Sequence, residues 1–235
     1  MDWPFLSDTL SELLTAVPLT LELGVISLLF GTAFALLLAL MRLSQRPLLS
    51  GTAQFYIFLI RGTPLLVQMF LIYYGLSQYA AIRHSFVWPL LRQPYWCAVL
   101  ALSLNTAAYV AEVVRGGLLT VPHGQIEAAR ACGMSSLLMF RRIIMPQAIR
   151  QALPAYGNEI ILLVKATSLA SVITLMEITG VAARVIAESY RTVEVFIIAG
   201  AIYLVINFLL TKLVTITEYK LTPHLRQPAQ ARKAD

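Results

Sequence analysis

Five segments of about 20 mostly apolar residues dominate this chain of 235 residues, at 19–41, 54–79, 95–114, 158–178 and 193–215. A helix of about 20 apolar residues spans the hydrocarbon core of a bilayer. Hydrophobic residues make up 58% of the chain and charged residues only 13%, whereas a soluble domain carries about 25% charged residues. We therefore predict an all-α integral membrane protein with about five transmembrane helices.

The lysines and arginines outside these segments are divided unevenly between the two sides of the membrane. Four lie on the side of the N-terminus: Arg83, Arg92, Arg184 and Arg191. Eleven lie on the opposite side: Arg42, Arg46, Arg115, Arg130, Arg141, Arg142, Arg150, Lys220, Arg226, Arg232 and Lys233. Cytoplasmic loops are enriched in Lys and Arg, so we expect the N-terminus outside and the C-terminus in the cytoplasm. The same pattern accounts for the net charge of +6 without a nucleic-acid partner.

No segment outside the predicted helices is large enough for a separate soluble domain, so residues 1–220 are expected to form one membrane domain. Residues 221–235 are polar and contain proline, a composition typical of a disordered tail, here cytoplasmic. The longest predicted loop is 115–156, between the third and fourth transmembrane helices and on the cytoplasmic side.

This loop is predicted to contain two short helices with a bend between them, outside the membrane. The first covers about 127–132 and ends at Gly133, since glycine readily closes a helix. Ser135 or Ser136 begins the second, which runs to about residue 145. Pro146 should disturb it because proline lacks a backbone N–H. Glu127 is expected near the N-terminus of the first helix, where the helix dipole favours a carboxylate.

The spacing within the loop resembles the signature of permeases of ATP-binding-cassette (ABC) importers: Glu-Ala-Ala, three residues, Gly, nine residues, Ile, any residue, Leu, Pro. The matching residues are Glu127, Ala128, Ala129, Gly133, Ile143 and Pro146. Met145 stands where the family usually has Leu, a change that conserves volume. The resemblance implies that this loop inserts into a cleft on an ATPase and transmits its motion.

The resemblance covers nearly the whole chain. FLIRGTPLLVQMFLIYYGL, SLNTAAYVAEVVRGGLLTVPHGQIEAAR and LLVKATSLASVI are similar to the branch that handles histidine, glutamine, glutamate, arginine and opines, as in the histidine and lysine–arginine–ornithine permeases. It implies a multi-pass protein of the bacterial cytoplasmic (inner) membrane. It also implies a second permease subunit, identical or different, two ABC ATPase subunits and an extracytoplasmic amino-acid-binding protein.

The chain lacks the means to bind nucleotide through a phosphate-binding loop of the Walker A type. That motif requires Gly-Lys-Ser or Gly-Lys-Thr, and none of Lys165, Lys212, Lys220 and Lys233 follows a glycine. We expect ATP and Mg²⁺ to be used by a separate ATPase, and this chain to be neither an enzyme nor the holder of a cofactor. The histidines lack metal-ligand spacing, so no metal site is expected.

Polar groups within the predicted helices are the candidates for the substrate pathway, because a charged group at the bilayer centre costs about 2.5–3.5 kcal/mol. The candidates are Arg61, Gln68, Asn105, Glu112, Asn158, Glu159, Lys165 and Ser168. A structural interpretation stays open for each. Arg61 could be an interface anchor and Gln68 an interface residue. Asn105 and Glu112 could form interhelical hydrogen bonds, Glu112 could also pair with Arg115, and the others could snorkel or pair with another helix.

Glu159 and Lys165 are six residues apart, which separates them by about 120° around a helix and about 9 Å along it. We expect no direct ion pair between them, whereas Lys165 and Ser168 are expected to share a face. Glu159 is a candidate for a substrate's amino group and Lys165 for its carboxylate. Many relatives have Asp where this chain has Ala166, so the carboxylate beside the lysine is missing here.

The leading functional prediction is a permease subunit of an ATP-driven importer for polar amino acids, with histidine, basic amino acids or opines as the nearest class. The alternative is a passive channel or a secondary transporter. A secondary transporter is typically built from inverted repeats, and no convincing repeat of this kind is present. An intramembrane enzyme is disfavoured, since the sequence has neither HExxH nor GxSxG.

Overall fold

The computed structural model describes residues 2–221, which form helices and connecting turns without a β-strand. Most of the predicted tail, residues 222–235, lies outside the described residues. The α-helices are α1 Trp3–Thr15, α2 Val17–Leu43, α3 Pro47–Arg61, α4 Leu65–Phe70, α5 Ala80–Arg83, α6 Trp88–Leu91, α7 Pro94–Leu119, α8 His123–Ala131, α9 Ser136–Met139, α10 Met145–Ala166, α11 Ile178–Ser189 and α12 Thr192–Leu221.

Four helical stretches are long and apolar enough to cross a membrane: Trp3–Leu43, Pro94–Leu119, Ser136–Ile173 and Thr192–Leu221. A fifth span exists if Pro47–Arg61 and Leu65–Gln78 count together, although the two arms are bent by 101°. The second arm continues α4 through a π-helical turn, Leu71–Gly75, and a 3₁₀ turn. Four to five spans agree with the prediction of about five transmembrane helices.

The helix around Pro146 differs from the prediction of a separate loop helix followed by a span that begins at residue 158. Ser136–Ile173 is one helical stretch of 38 residues. A π-helical turn, Phe140–Ile144, precedes α10, and Pro146 lies at the start of α10, where its missing N–H breaks little. A stretch of this length is roughly 60 Å long, twice the hydrocarbon thickness of about 30 Å, so part of it stands outside the membrane.

Helix α7 runs through the centre of the bundle and packs mainly against α2 and α10. At the crossing with α2, a Cβ added to Gly31 would lie 2.9 Å from Thr106 Cβ and 3.0 Å from the Ser103 carbonyl oxygen. Small residues at such crossings let two helix backbones approach closely in a membrane. The close contact fixes which face of α7 is left for α3, α4 and α10.

The two ends of the bundle carry separate charged groups. At the first end, Glu12 on α1 pairs with Arg184 on α11 at 2.7 Å, and Asp2 pairs with Arg191 at 2.9 Å. Arg42 lies at the opposite end of α2, which has 27 residues and is therefore about 40 Å long. This grouping places Arg184 and Arg191 with the N-terminus and Arg42 away from it.

Candidate functional site

A cavity of about 610 Å³ opens where the bent segment between α3 and α4 meets α7 and α10. Its polar lining comes from α3, the bend, α7 and α10, and its leucines come from α4, α7, α10 and the 3₁₀ turn that follows α10. The lining residues are Arg61, Gly62, Thr63, Pro64, Leu65, Leu102, Asn105, Thr106, Tyr109, Glu159, Leu162, Leu163, Ala166 and Leu169. The cavity therefore depends on contacts between segments that are distant in sequence.

The bend between α3 and α4 arises from Gly62 and Pro64. A Cβ at Gly62 would lie 2.8 Å from the Phe58 carbonyl oxygen, and Pro64 has no N–H to donate into a continuing helix. The Gln68 side chain satisfies carbonyl groups that the break leaves free, since its Nε2 donates to the Ile60 oxygen at 2.8 Å. Gln68 is buried and lies behind the cavity wall.

One positive and one negative side chain line the same cavity. The Arg61 guanidinium lies 4.9 Å from the centre of the Tyr109 ring, a distance typical of a cation–π contact. Glu159 lines the cavity from α10 and Asn105 from α7. The structure thus brings together Arg61, Asn105 and Glu159 from three separate helices, with Gln68 hydrogen-bonded to Asn105 at 3.2 Å.

Lys165 and Ser168 line a different cavity, of about 330 Å³, between the end of α10, the start of α11 and α12. They share a face, as their spacing predicts, and Lys165 forms no ion pair with Glu159. The chain segment between residues 2 and 221 offers Lys165 no acidic partner within 4.0 Å. Lys165 and Glu159 therefore line two different cavities.

Glu112 forms ion pairs and does not line the cavity. Its carboxylate accepts hydrogen bonds from Arg115 at 2.7 and 2.9 Å and lies 3.6 Å from the Arg42 side chain. This confirms the predicted pairing with Arg115 and adds a link between α2 and α7. Asn158 lies on an exposed face of α10 and lines none of the cavities described here.

A buried carboxylate at Glu177 is the polar feature that sequence reasoning missed. Glu177 is fully buried and caps α11, accepting from the Thr179 and Gly180 backbone N–H groups at 3.0 and 2.9 Å. The Tyr203 hydroxyl donates to it at 2.7 Å. Glutamate is not among the usual capping residues, and its partner is 26 residues away, so the sequence carries no signal for it.

The loop with the ABC-permease signature is organised around α8 and Gly133. The Gly133 N–H donates to the Arg130 oxygen at 2.9 Å, and the Met134 N–H donates to the Ala129 oxygen at 3.1 Å. These two bonds form a Schellman motif, which requires the left-handed φ of +73° at Gly133. Ser135 caps the next helix by accepting from the Leu138 N–H at 3.4 Å. Both the glycine stop and the serine start agree with the prediction.

Helix α8 presents part of the signature to solvent and buries the rest. Glu127 and Ala128 are exposed, whereas Ala129 is buried. Because α8 begins at His123, Glu127 lies in its middle, and the expectation that it sits near the N-terminus is wrong. Gln147 on α10 donates to Gln125 on α8 at 2.6 Å and holds the loop against the long helix. Ile143 and Pro146, on that long helix, are half-buried.

The structure is a helical membrane bundle with a polar cavity at a bent segment and a short exposed helix between two spans. The chain belongs to the family of binding-protein-dependent transport system inner membrane components, whose model matches residues 31–222. It is therefore a membrane-embedded subunit of a binding-protein-dependent transporter.

Related proteins cover almost the whole chain. The octopine transport permease OccM of Rhizobium radiobacter is 61% identical over 96% of this chain and 92% of its own length. The nopaline permease NocM of Agrobacterium fabrum is 54% identical over 96% and 94%. A crystal structure of an amino acid ABC transporter with histidines matches with a TM-score of 0.83 at 36% identity, over 94% of this chain and 99% of that one.

These likenesses establish the chain as a permease subunit of an ABC importer, which works with an ATPase and a binding protein. The chain is accordingly not an enzyme, since ATP hydrolysis belongs to a separate subunit in such systems. The alternative of a passive channel or secondary transporter is thereby set aside.

Proposed function

We propose that this chain forms half of a translocation pore that imports an opine or a basic amino acid through the cavity of Arg61, Asn105 and Glu159. The observation that carries the proposal is that one cationic and one anionic side chain, Arg61 and Glu159, line a single cavity. Such a cavity suits a zwitterion, because each substrate charge meets an opposite charge in a setting of low dielectric constant. The names of the octopine and nopaline permeases support the opine class.

The roles of the side chains follow from their chemistry. The Arg61 guanidinium is a planar fork that matches a carboxylate and would take this substrate group. The Glu159 carboxylate would take an ammonium or guanidinium group, with Asn105 beside it. Arg61 replaces Lys165 as the carboxylate partner, since Lys165 lines the other cavity. Glu112 would stabilise the helix pair rather than contact substrate.

The exposed side of α8 is the proposed contact with the ATPase. A short helix that fills a groove is a common mode of docking between proteins, and α8 offers Glu127 and Ala128 on its exposed side. Ala129, Gly133, Ile143 and Pro146 would shape the loop rather than touch the ATPase. Motion of the groove would reach the cavity through α10, which is hydrogen-bonded to α8 and lines the cavity with Glu159.

The assembly would contain a second permease subunit, two ATPase subunits and a binding protein docked outside, in a bacterial inner membrane. The N-terminus would lie outside and the C-terminus in the cytoplasm. The grouping of charged residues at the two ends of the bundle supports this orientation, as does the excess of Lys and Arg on the side of α8.

The test is transport by the complete system in liposomes, with its native ATPase, partner permease and binding protein. Uptake of radiolabelled octopine, nopaline, L-arginine and L-histidine is measured with ATP and with a non-hydrolysable analogue. We expect ATP-dependent uptake of at least one of the four, with no uptake in the analogue. Saturable ATP-driven uptake confined to solutes without a cationic group, such as sugars, would contradict the proposal.

A further inference from the structure

The Gln68 side-chain amide has only one orientation that fits its surroundings. Its Nε2 lies 2.8 Å from the Ile60 oxygen, 3.1 Å from the Thr63 oxygen and 2.9 Å from Thr63 Oγ1. The Thr63 hydroxyl uses its own hydrogen on the Leu59 oxygen, at 2.9 Å, so all three neighbours are acceptors. A rotated amide would place one oxygen among three others, which leaves buried groups unpaired. The nitrogen of Gln68 must therefore face the bend.

This orientation determines that of Asn105 as well. With its nitrogen at the bend, Gln68 presents Oε1 to α7, where Asn105 Nδ2 donates to it at 3.2 Å. An oxygen can accept only from the nitrogen of the second amide. Asn105 also lines the cavity, so Oδ1 is the acceptor that it has free for a ligand.

We propose that Gln68 is a positioning residue that keeps Asn105 Oδ1 available as an acceptor for the cationic group of the substrate. Gln68 has an exposed fraction of only 8% and does not line the cavity, so it acts through Asn105. The inference rests on the proposed function, because it assigns a substrate group to the cavity. The cationic group of the substrate would then meet two acceptors: the Glu159 carboxylate and the neutral Asn105 Oδ1, whose orientation is set by the bend.

Loss of Gln68 would free the Asn105 amide to rotate. A rotated Asn105 presents an N–H donor where the cationic group binds, which replaces an attraction with a repulsion. The competing explanation is that Gln68 only braces the bend. The two differ in one respect: the positioning role makes the effect of Gln68 depend on Asn105, whereas bracing alone does not.

A double-mutant cycle separates the two explanations. Gln68→Met, Asn105→Leu and the double variant are purified in detergent as the permease–ATPase complex, and binding of radiolabelled octopine and L-arginine is measured without the binding protein. We expect each single change to weaken binding about tenfold, the size of one hydrogen bond to a charged group. The double variant should bind no more weakly than Asn105→Leu alone. Gln78→Met is the matched control, since Gln78 is exposed and does not line the cavity, and should leave binding unchanged.

The outcomes distinguish this inference from the proposed function. If the two single losses multiply in the double variant, Gln68 acts only as a brace and the inference is overturned. If the wild type binds neither octopine nor L-arginine, the assignment of these two solutes to the cavity fails. The Tm values of the wild type, the two single variants and the double variant then show whether Gln68 and Asn105 are coupled. The positioning contact predicts that the double variant lowers Tm no further than Gln68→Met does, whereas additive losses of Tm would overturn it.

Discussion

Glu127→Lys is expected to lower ATP-driven uptake about 100-fold or more while leaving the protein inserted in the membrane. Glu127 is exposed in the middle of α8 and has no partner within the described chain, so the change costs the permease itself little. If the ATPase covers this side of α8, the new charge is buried without a partner, which costs about 3–5 kcal/mol. Uptake in liposomes and the amount of permease recovered in membranes measure the two effects separately.

The matched control is Glu188→Lys, the same change on an exposed residue of α11, away from α8. It should leave uptake within about twofold of the wild type. Equal uptake by the wild type and Glu127→Lys would show that the exposed side of α8 transmits no work, and would count against the docking proposal.

Gly133→Asp is expected to give a similar loss through the backbone rather than through charge at the interface. A side chain at φ +73° costs roughly 1–2 kcal/mol, and relief of this strain would open the Schellman motif and reorient α8. Gly124→Asp is the control, since Gly124 lies in the first turn of α8, where an acidic residue is favoured, and a Cβ added there would meet no atom within 4 Å. Normal uptake by both variants would contradict the role of the turn.

Glu159→Gln is the third change with a large expected effect. It removes the negative charge from the cavity while keeping the size of the side chain, so the substrate's cationic group loses a charged hydrogen bond. Such bonds contribute about 1.5–3 kcal/mol, which corresponds to roughly 10- to 100-fold weaker binding of octopine or L-arginine to the permease–ATPase complex. Binding is measured in detergent as for Gln68.

Glu188→Gln is the control for Glu159→Gln, since it makes the same chemical change outside the cavity, and it should bind both probes normally. Unchanged binding in Glu159→Gln would remove Glu159 from the pathway. Weak binding with a Tm lowered by many degrees would instead assign Glu159 a structural role.

The features that the sequence predicts well are those carried by local composition. Twenty apolar residues in succession define a span whatever the tertiary structure, and a glycine at a helix end predicts the left-handed turn at Gly133. The sharp break at Gly62 and Pro64 is local in the same sense, because both residues act on the adjacent backbone.

The features that the sequence does not predict depend on long-range geometry. The 101° bend brings Arg61 against α7 and α10, and no local pattern indicates that it shares a cavity with Glu159 but not with Lys165. The π-helical turn before Pro146 allows the long helix to continue where local rules predict a break. The role of Gln68 depends on four groups that meet only after the bend has formed.

Cys132 offers the most direct test of the claim that α8 and its turn face the cytoplasm and dock on an ATPase. It is the exposed one of the two cysteines of the chain, and Cys97 is buried. A membrane-impermeant maleimide is applied to right-side-out and inside-out vesicles, with and without the ATPase subunits. We expect labelling of Cys132 in inside-out vesicles that lack the ATPase, strong protection when the ATPase is present, and no labelling from the outer face. Labelling in right-side-out vesicles, or equal labelling with and without the ATPase, would contradict the account.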